Sequence, residues 1–322
     1  MPKTCSEAAT RVSLNGVTMA TRWSVTADVG PGLDLDALQA ALQAAVDEVD
    51  AQMSPWKPDS DLVRLNRAPA GAWVGLPPAI MEVIARAVQV CRLSDGAFDP
   101  AVGDLVDAWG FGPAREEPDA DAIRAARGQV RAPCHQWLEL DEAAGRARKL
   151  GPLQLDLCGI AKGYAVDRMV EVLRRHGVAH ALAALDGELR ALGSQADGRP
   201  WPVAVESPQA GRRAVHGVVG MEDVAVATSG DYRRFMRLGD LRLAHTIDSR
   251  RGAPVLNNIA SVTVLAPTCM DADAWATALL VAGPERGLLL ARRLGLDVLM
   301  LLRRGNGIAE VGLGRFGTVA GE

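Results

Sequence analysis

The spacing of apolar residues changes within residues 153–177. Over residues 153–157 apolar and polar side chains alternate, and this predicts a strand with one buried face. Over residues 166–173 apolar side chains recur at intervals of three and four, and this predicts a helix that ends on basic residues and Gly177. The sequence therefore predicts a strand, a tight turn and a helix in succession.

The predicted turn carries candidate chemistry. The strand delivers Asp156 to a segment that holds Gly159 and Gly163, with Lys162 between the two glycines. Close backbone approach, free N–H groups at a helix start and a cation suit a ligand that bears phosphate. An ordinary packing joint with a solvated lysine is the alternative, because short glycine motifs match often by chance.

The same patterns predict a mixture of helices and short strands along the rest of the chain. We expect helices at residues 35–53, 61–66, 80–93, 121–127 and 268–281, and another up to residue 294. We expect strands at residues 17–25, 137–140, 147–150, 153–157, 180–185, 188–192, 203–205, 218–221, 224–227, 259–265, 298–302 and 308–311. Since no strand–helix–strand rhythm repeats, the fold class is predicted to be α+β, with mixed, largely antiparallel sheets and flanking helices.

Length and composition favour one globular unit. The chain has 322 residues, of which 48% are apolar, so a sizeable core is expected. We predict a single domain over residues 1–322, with two lobes as an alternative, and a poorly ordered tail over residues 1–14.

The net charge and the lack of long apolar segments exclude some classes of function. The formal net charge of −4 comes without a basic stripe, which argues against a dedicated nucleic-acid binder. No apolar run approaches the length of a membrane span, and the N-terminal residues lack the apolar region of a secretory signal. We therefore expect a cytoplasmic protein with no membrane span.

The five cysteines support a reducing compartment. Their number is odd and no pair has C-x-x-C spacing, so neither a disulfide framework nor a zinc site is expected. Cys158 and Cys269 stand beside the candidate motifs, and we interpret both as small core residues.

Oxygen ligands suggest a site for a hard cation. Asp273 and Thr277 are four residues apart on a predicted helix, so their oxygens face the same way. Together with Asp156 and carbonyls of the glycine turn they suit Mg²⁺. The alternative is that Asp273 is only a charge in the first turn of a helix.

A base and aromatic side chains complete the candidate site. His245 lies in a predicted polar loop and is a natural general base near neutral pH, although a lone histidine is more often structural. Trp56, Phe98 and Phe111 are able to wall a flat ligand or else to pack the core. Taken together, these groups suggest a nucleotide-like ligand with a pyrophosphate and with magnesium on its phosphates.

Six segments in the same order resemble the FAD:protein FMN transferases of the ApbE type. They are MSPWKPDSDLVRLN, LSDGAFDPAVGDLVDAWGFG, LDLCGIAKGYAVDRMVEVL, SGDYRRF, AHTIDSRRGAPV and SVTVLAPTCMDADAWATALLVAGPERG. They run from about residue 53 to about residue 287, and MATRW is a weaker match upstream. Six collinear segments are far more specific than one glycine motif.

The resemblance implies a fold, an activity and a set of site residues. It implies an ApbE-like fold with FAD in a cleft between two lobes. It implies Mg²⁺-dependent cleavage of the FAD pyrophosphate, with Mn²⁺ as another metal, and attachment of FMN by a phosphoester to a threonine or serine of a target protein, with release of AMP. The metal site maps to the carbonyl of Gly159 and the side chains of Asp273 and Thr277, and His245 takes the place of the base. The FAD contacts map to Met19, Trp56, Ala97, Phe98, Asp99, Asp156, Lys162 and Ile247.

The chain departs from the family pattern in three places. Ala20 stands where glycine is usual, residues 184–188 read ALDGE in place of Asn-x-Gly-Gly-Asp, and Ser249 replaces a proline. The role of residues 184–188 is therefore open. An FAD pyrophosphatase that yields FMN and AMP, and a non-catalytic FAD carrier, are the alternative functions, and a structural module without a ligand is a third.

Overall fold

The computed structural model describes residues 9–129, 131–208, 214–231, 235–238, 241–305 and 307–317. The helices in this part of the chain are α1 (Leu35–Met53), α2 (Asp61–Arg67), α3 (Pro78–Leu93), α4 (Gly103–Ala108), α5 (Ala120–Gly128), α6 (Cys134–Trp137), α7 (Ala161–Arg175), α8 (Cys269–Ala282) and α9 (Pro284–Leu294). The strands are β1 (Thr10–Thr18), β2 (Thr21–Val29), β3 (Val74–Gly75), β4 (Leu138–Asp141), β5 (Arg146–Lys149), β6 (His180–Leu185), β7 (Glu188–Leu192), β8 (Trp201–Glu206), β9 (Val215–Met221), β10 (Ala225–Gly230), β11 (Phe235–Leu238), β12 (Leu241–Ala244), β13 (Ile247–Asp248), β14 (Ala253–Pro254), β15 (Ile259–Ala266), β16 (Asp297–Arg304) and β17 (Gly307–Leu313).

One eight-stranded sheet organises the molecule. Its strand order is β1-β2-β6-β7-β10-β15-β16-β17, and every neighbouring pair is antiparallel. Smaller sheets join β3-β5-β4, β8-β9, β11-β12 and β13-β14. The predicted α+β class with mixed helices and antiparallel strands is confirmed.

Both faces of the large sheet are covered. Successive residues of β10 point to opposite faces, so Ala225 and Ala227 join the main core with α1, α7 and α8. Val226 lies on the other face, where it packs with Trp201 and Met221 of the β8–β9 hairpin. Strand β15 is buried along its whole length, as expected for a strand with cover on both sides.

Side-chain caps fix where helices begin. Asp34 accepts a hydrogen bond from the backbone N–H of Ala37 at 2.9 Å, and Thr268 accepts one from Asp271 at 3.2 Å. Both caps are where the sequence predicts them. Asp271 itself pairs with Arg86 at 2.5 Å, so its carboxylate ties α8 to α3.

The predicted strand at residues 17–25 is wrong. The chain turns at Met19 and Ala20, whose φ angles of 47° and 56° are left-handed, and β1 and β2 form a hairpin on either side. The sequence pattern gives no sign of this turn, because the turn contains none of the glycine, proline or asparagine residues that mark most turns. The two strands are therefore predicted as one. Residues 10–14, predicted to be a poorly ordered tail, belong to β1.

The predicted strand at residues 153–157 is also absent, although its pattern of burial is right. Leu153, Leu155 and Leu157 are buried, but the segment pairs with no strand in the described chain. The Asn66 amide brackets Leu155, donating to its carbonyl at 2.9 Å and accepting from its N–H at 2.7 Å. The backbone N–H of Asp156 donates to the carbonyl of Pro100 at 2.8 Å. Alternating apolar residues indicate that one face of a segment is buried, but they do not show which groups form hydrogen bonds with its backbone.

Lys162 and Gly163 lie in the first turn of α7 rather than in the turn before it. Gly163 is required for helix packing, because a Cβ at this position would lie 2.3 Å from the carbonyl oxygen of Cys269. The second glycine of the motif therefore brings α7 against α8.

Some predictions fall on residues outside the described ranges. These are Cys5, the first eight residues of the predicted tail, and residues 232–234 of the SGDYRRF segment. Within the described chain, no helix combines the length and apolar character needed to cross a membrane.

Candidate active site

A single cavity of about 1000 Å³ collects the expected site residues. It is lined by Trp56, Ala97, Phe98, Asp99, Asp156, Gly159, Lys162, His245, Ile247, Asp273 and Thr277. Met19 is not among the lining residues, whereas Thr21 on the other side of the same turn is. These residues span more than two hundred positions of sequence, so the fold has brought them together.

The residues expected to hold a metal are adjacent. Asp273 and Thr277 are one turn apart on α8. A Cβ built on Gly159 would lie 3.2 Å from Thr277 Oγ1 and 3.4 Å from the Phe98 ring, so a side chain at 159 would crowd the hydroxyl. The carboxylate of Asp273 and the hydroxyl of Thr277, with the backbone of Gly159 beside them, offer the hard oxygen donors that Mg²⁺ prefers, so these residues fit the ion.

The expected metal ligands Asp273, Thr277 and Gly159 include only one ionisable side chain. Among the described residues, no group of three or more histidine, cysteine, aspartate and glutamate side chains is arranged to hold a metal. The expected site instead uses one carboxylate, and Mg²⁺ commonly completes such a site with water and substrate phosphate.

Asp273 lies in an environment that disfavours its charge. Its side chain is buried, and Oδ2 accepts the backbone N–H of Gly163 at 3.1 Å. Burial, and then the nearby Glu188 carboxylate, raise the pKa of Asp273 to about 7. Binding of a divalent cation would stabilise the charged carboxylate against both effects.

Lys162 is part of an ion-pair network on the cavity wall. Its Nζ lies 2.7 Å from Glu188 Oε1 and 3.6 Å from Asp186 Oδ2. Burial by itself would lower the pKa of Lys162, but attraction to Glu188 and Asp273 outweighs it, so the pKa is raised and the ammonium stays charged. The sequence predicts a cation at this point but not the carboxylates that share its charge.

Asp156 and Cys158 form the wall before Gly159. Asp156 accepts the backbone N–H of Cys158 at 2.7 Å, and burial raises the pKa of this aspartate. Cys158 is exposed and lines the cavity, so its assignment as a core residue is wrong, while Cys269 is buried as expected. Cys158 continues the alternation of residues 153–157 on its open face, so the pattern itself favours exposure over a core position.

Asp99 anchors the loop that carries Ala97 and Phe98 into the cavity. Its carboxylate accepts the backbone N–H groups of Ala101 at 3.0 Å and Cys134 at 3.2 Å. Burial raises its pKa, and a hydrogen bond from Ser249 acts in the opposite direction. Ser249, one of the departures from the family pattern, therefore connects this loop to the segment that carries Ile247 and His245.

Trp56 is presented to the cavity rather than to the core. It is 54% exposed and lies in a loop held by Ser60, whose hydroxyl donates to the carbonyl of Ser54 at 2.8 Å. The buried Phe98 lines the same cavity. Of the two alternatives for Trp56, a plug in the core is excluded, and its exposed ring has the geometry of a stacking surface.

His245 lies half-buried between β12 and β13 and lines the cavity. Ile247, two residues later, is buried against Leu105 and Ala108. This packing holds the segment with His245 and Ile247 against α4, the helix that follows the Asp99 loop. The imidazole thus lines the same cavity as Asp273 and Thr277.

Sequence reasoning missed two polar residues in this cavity. Glu188 pairs with Lys162, and the Ser229 hydroxyl lies 3.0 Å from Thr277 Oγ1. Ser229 is within the SGDYRRF segment, which could have been examined for a hydroxyl partner of the metal site. Glu188 keeps an acidic side chain at the last position of the Asn-x-Gly-Gly-Asp pattern, and this retained carboxylate was the available signal.

Known proteins resemble this chain over most of its length. The ApbE family model matches residues 19–300. A protein of Vibrio cholerae named FAD:protein FMN transferase is 35% identical over 310 residues, covering 95% of this chain and 92% of the relative. One of Escherichia coli with the same name is 33% identical, covering 95% and 88%.

Solved structures agree with the sequence relatives. The flavin transferase ApbE from Vibrio cholerae superposes with a TM-score of 0.86 at 33% identity, covering 96% of this chain and 98% of that one. The apo form of Pseudomonas stutzeri flavinyl transferase ApbE gives 0.85 at 36% identity, with 95% of each chain covered. The fold thus places the chain in the same class as these two flavin transferases. The chain belongs to the ApbE family.

Proposed function

We propose that this protein is an FAD:protein FMN transferase that binds FAD in the cavity described above. It cleaves the pyrophosphate of FAD, attaches FMN by a phosphoester to a threonine or serine of an acceptor protein, and releases AMP. The observation that supports this most strongly is the convergence of aromatic, oxygen-donor, cationic and basic side chains on one cavity of about 1000 Å³. The names of the relatives agree with it.

The flavin end of FAD fits the wall formed by Trp56 and Phe98. An exposed indole on an ordered loop provides a flat apolar face for the isoalloxazine ring. Asp99, Asp156 and Ile247, which are further expected contacts, line the same cavity. We keep Met19 as an expected FAD contact from the family resemblance, although it packs against the main core and does not line the cavity.

Asp273, Thr277 and the carbonyl of Gly159 would hold Mg²⁺, or Mn²⁺ in its place. The ion would neutralise charge on the pyrophosphate oxygens, which is the main requirement of phosphoryl transfer. We infer that Lys162 contacts the same pyrophosphate while it stays paired with Glu188, because its ammonium is fixed on the cavity wall next to Asp273.

His245 is the proposed general base. It takes the proton of the acceptor hydroxyl as the hydroxyl oxygen bonds to the FMN phosphorus, and the bond from that phosphorus to the bridging oxygen breaks. The products are FMN esterified to the acceptor and AMP, and the proton passes from the imidazole to solvent. Half-burial on the cavity wall gives the imidazole access to both substrate and water.

The cytoplasm is the proposed compartment of the reaction. The four cysteines of the described chain, Cys91, Cys134, Cys158 and Cys269, are all free thiols, in keeping with a reducing environment. The acceptor is proposed to be a protein segment of the type Asp-x-x-Thr/Ser-Gly-Ala.

The test is a transfer reaction with purified protein, FAD, Mg²⁺ and a peptide of that type. Intact mass is expected to show a peptide adduct of the mass of FMN less water, with one AMP released per adduct. A peptide with alanine at the acceptor position is the matched control and should gain no mass. AMP and free FMN without an adduct would favour the pyrophosphatase, and intact bound FAD would favour the carrier.

The metal assignment has its own variant. Asp273→Ala removes the only carboxylate proposed to hold the ion, so metal-dependent turnover should be abolished. Asp271→Ala is the matched control, because this aspartate lies in the same helix turn but pairs with Arg86 outside the cavity. Full activity in Asp273→Ala would refute the assignment.

A further inference from the structure

The hydroxyl of Thr277 has a partner on the floor of the cavity. Ser229 Oγ lies 3.0 Å from Thr277 Oγ1, and both residues line the cavity. Ser229 belongs to β10 and Thr277 to α8, two elements that pack directly on each other. The contact joins positions 48 residues apart, so tertiary packing and not local sequence creates it.

The direction of this hydrogen bond matters for a cation. A hydroxyl that binds a metal does so through an oxygen lone pair, and its proton must therefore point away from the ion. Gly159 lies on one side of Thr277 Oγ1, as the 3.2 Å approach of a built Cβ shows, and Ser229 Oγ is its hydrogen-bond partner. A helix threonine otherwise donates readily to the carbonyl one turn before it, which leaves its rotamer less fixed.

We propose that Ser229 is a positioning residue for the metal site: it accepts the proton of the Thr277 hydroxyl and thereby turns a lone pair of Oγ1 toward the cation. This inference rests on the proposed function and extends it by one residue. Outer partners of metal ligands typically change metal affinity by about 10- to 100-fold when they are removed.

The strand also supplies a matched control. Thr228, the neighbour of Ser229, pairs with Thr263 through a hydroxyl–hydroxyl contact of 2.8 Å. Because neighbouring residues of a strand point to opposite faces, this pair lies on the other side of the sheet from α8. Thr228→Val removes a hydrogen bond of the same kind without touching Thr277.

The experiment measures Mn²⁺ binding by electron paramagnetic resonance in the absence of FAD, and it does not depend on turnover. In Ser229→Ala the dissociation constant for Mn²⁺ should rise by about 10-fold or more. Ser229→Thr keeps the hydroxyl and should restore affinity to near the wild-type value, and Thr228→Val should leave it unchanged. Melting curves of all variants show whether each one is folded.

Three results of the Mn²⁺ binding experiment on the variants would overturn the proposal. One is wild-type Mn²⁺ affinity in Ser229→Ala, and another is an equal loss in Thr228→Val. The third is failure of Ser229→Thr to recover affinity while it melts like the wild type. If the wild type binds no Mn²⁺ but Asp273→Ala still transfers FMN, the metal assignment of the proposed function fails, and the inference fails with it.

Discussion

At the scale of single residues, the account depends on side chains that the fold holds in demanding environments. Asp273 is buried beside another carboxylate, Lys162 is fixed by Glu188, and His245 is kept on the cavity by its neighbour Ile247. Perturbed ionisable groups in one cavity are typical of functional sites, because catalysis needs charges where the fold by itself would avoid them.

His245→Ala should impair transfer far more than FAD binding. Removal of a general base commonly lowers kcat by roughly 100-fold or more, whereas the stacking surface of Trp56 is unaffected. The measurement is kcat for adduct formation beside the dissociation constant for FAD from flavin fluorescence. His176→Ala is the control, since this residue caps the far end of α7. Normal kcat in His245→Ala would exclude it as the base.

Ala20→Gly should stabilise the protein by about 1 kcal/mol. Ala20 has a φ of 56°, and a Cβ in this region carries a steric cost that glycine avoids. The free energy of unfolding in urea measures the difference. Ala41→Gly within α1 should have the opposite effect of similar size, because glycine weakens a helix interior. Destabilisation by Ala20→Gly would mean that the turn carries no strain.

At the scale of elements, the site depends on how α7 and α8 are held together. Asp167 of α7 accepts the first N–H groups of α8, from Cys269 at 2.8 Å and Met270 at 2.9 Å. Its carboxylate also pairs with Arg190 of β7 at 2.6 Å. Since Glu188 of the same strand pairs with Lys162, β7 fixes α7 at two points and α7 fixes the start of α8. The position of Asp273 follows from these contacts.

Asp167→Ala should lower the free energy of unfolding by about 3 kcal/mol, because it leaves the half-buried Arg190 without its ion-pair partner and removes the acceptor of the first two N–H groups of α8. Thermal or urea unfolding measures the loss. Asp197→Ala is the comparison: it removes an equally short pair with Arg199 that is exposed, and it should have little effect. Similar losses in the two variants would contradict the structural role given to Asp167.

The β1–β2 hairpin should contribute stability at neutral pH that is lost in acid. A hydrogen bond from Arg11 lowers the pKa of Asp28, whose carboxylate also accepts the N–H of Ala196 at 2.8 Å. A folded-state pKa below the unfolded value of about 3.9 stabilises the protein above that value, and the contribution is lost as pH falls through the folded pKa.

Wild type should therefore exceed Asp28→Asn in free energy of unfolding at pH 6, and the difference should shrink as pH falls below about 4. Urea unfolding across this range measures it. A difference that is constant down to pH 2 would show that Asp28 acts by packing rather than by charge.

At the scale of the whole molecule, the sequence predicts elements well where a local signal exists and less well where partners are distant. Asp34 and Thr268 mark helix starts correctly because the cap contacts a residue three positions away. The segment at residues 153–157 is satisfied by Asn66 and the loop at Pro100, which no local pattern encodes. The turn at Met19 and Ala20 lacks the residue types that usually mark a turn.

The candidate site was predictable mainly through the resemblance to a family. Its residues are scattered over the chain, and each one by itself had an ordinary structural explanation. The cavity brings all of them except Met19 to one place. Ser229 and Glu188 lie in segments that the sequence analysis considered, but their partners in α8 and α7 become visible only in the fold.

The most direct test of the central claim is a crystal structure with FAD and Mn²⁺, with the ion located by its anomalous scattering. The account predicts FAD in this cavity, with the flavin ring on Trp56 and Mn²⁺ bound by oxygens of Asp273, Thr277 and Gly159. FAD bound elsewhere, or Mn²⁺ without contact to Asp273, would contradict the account.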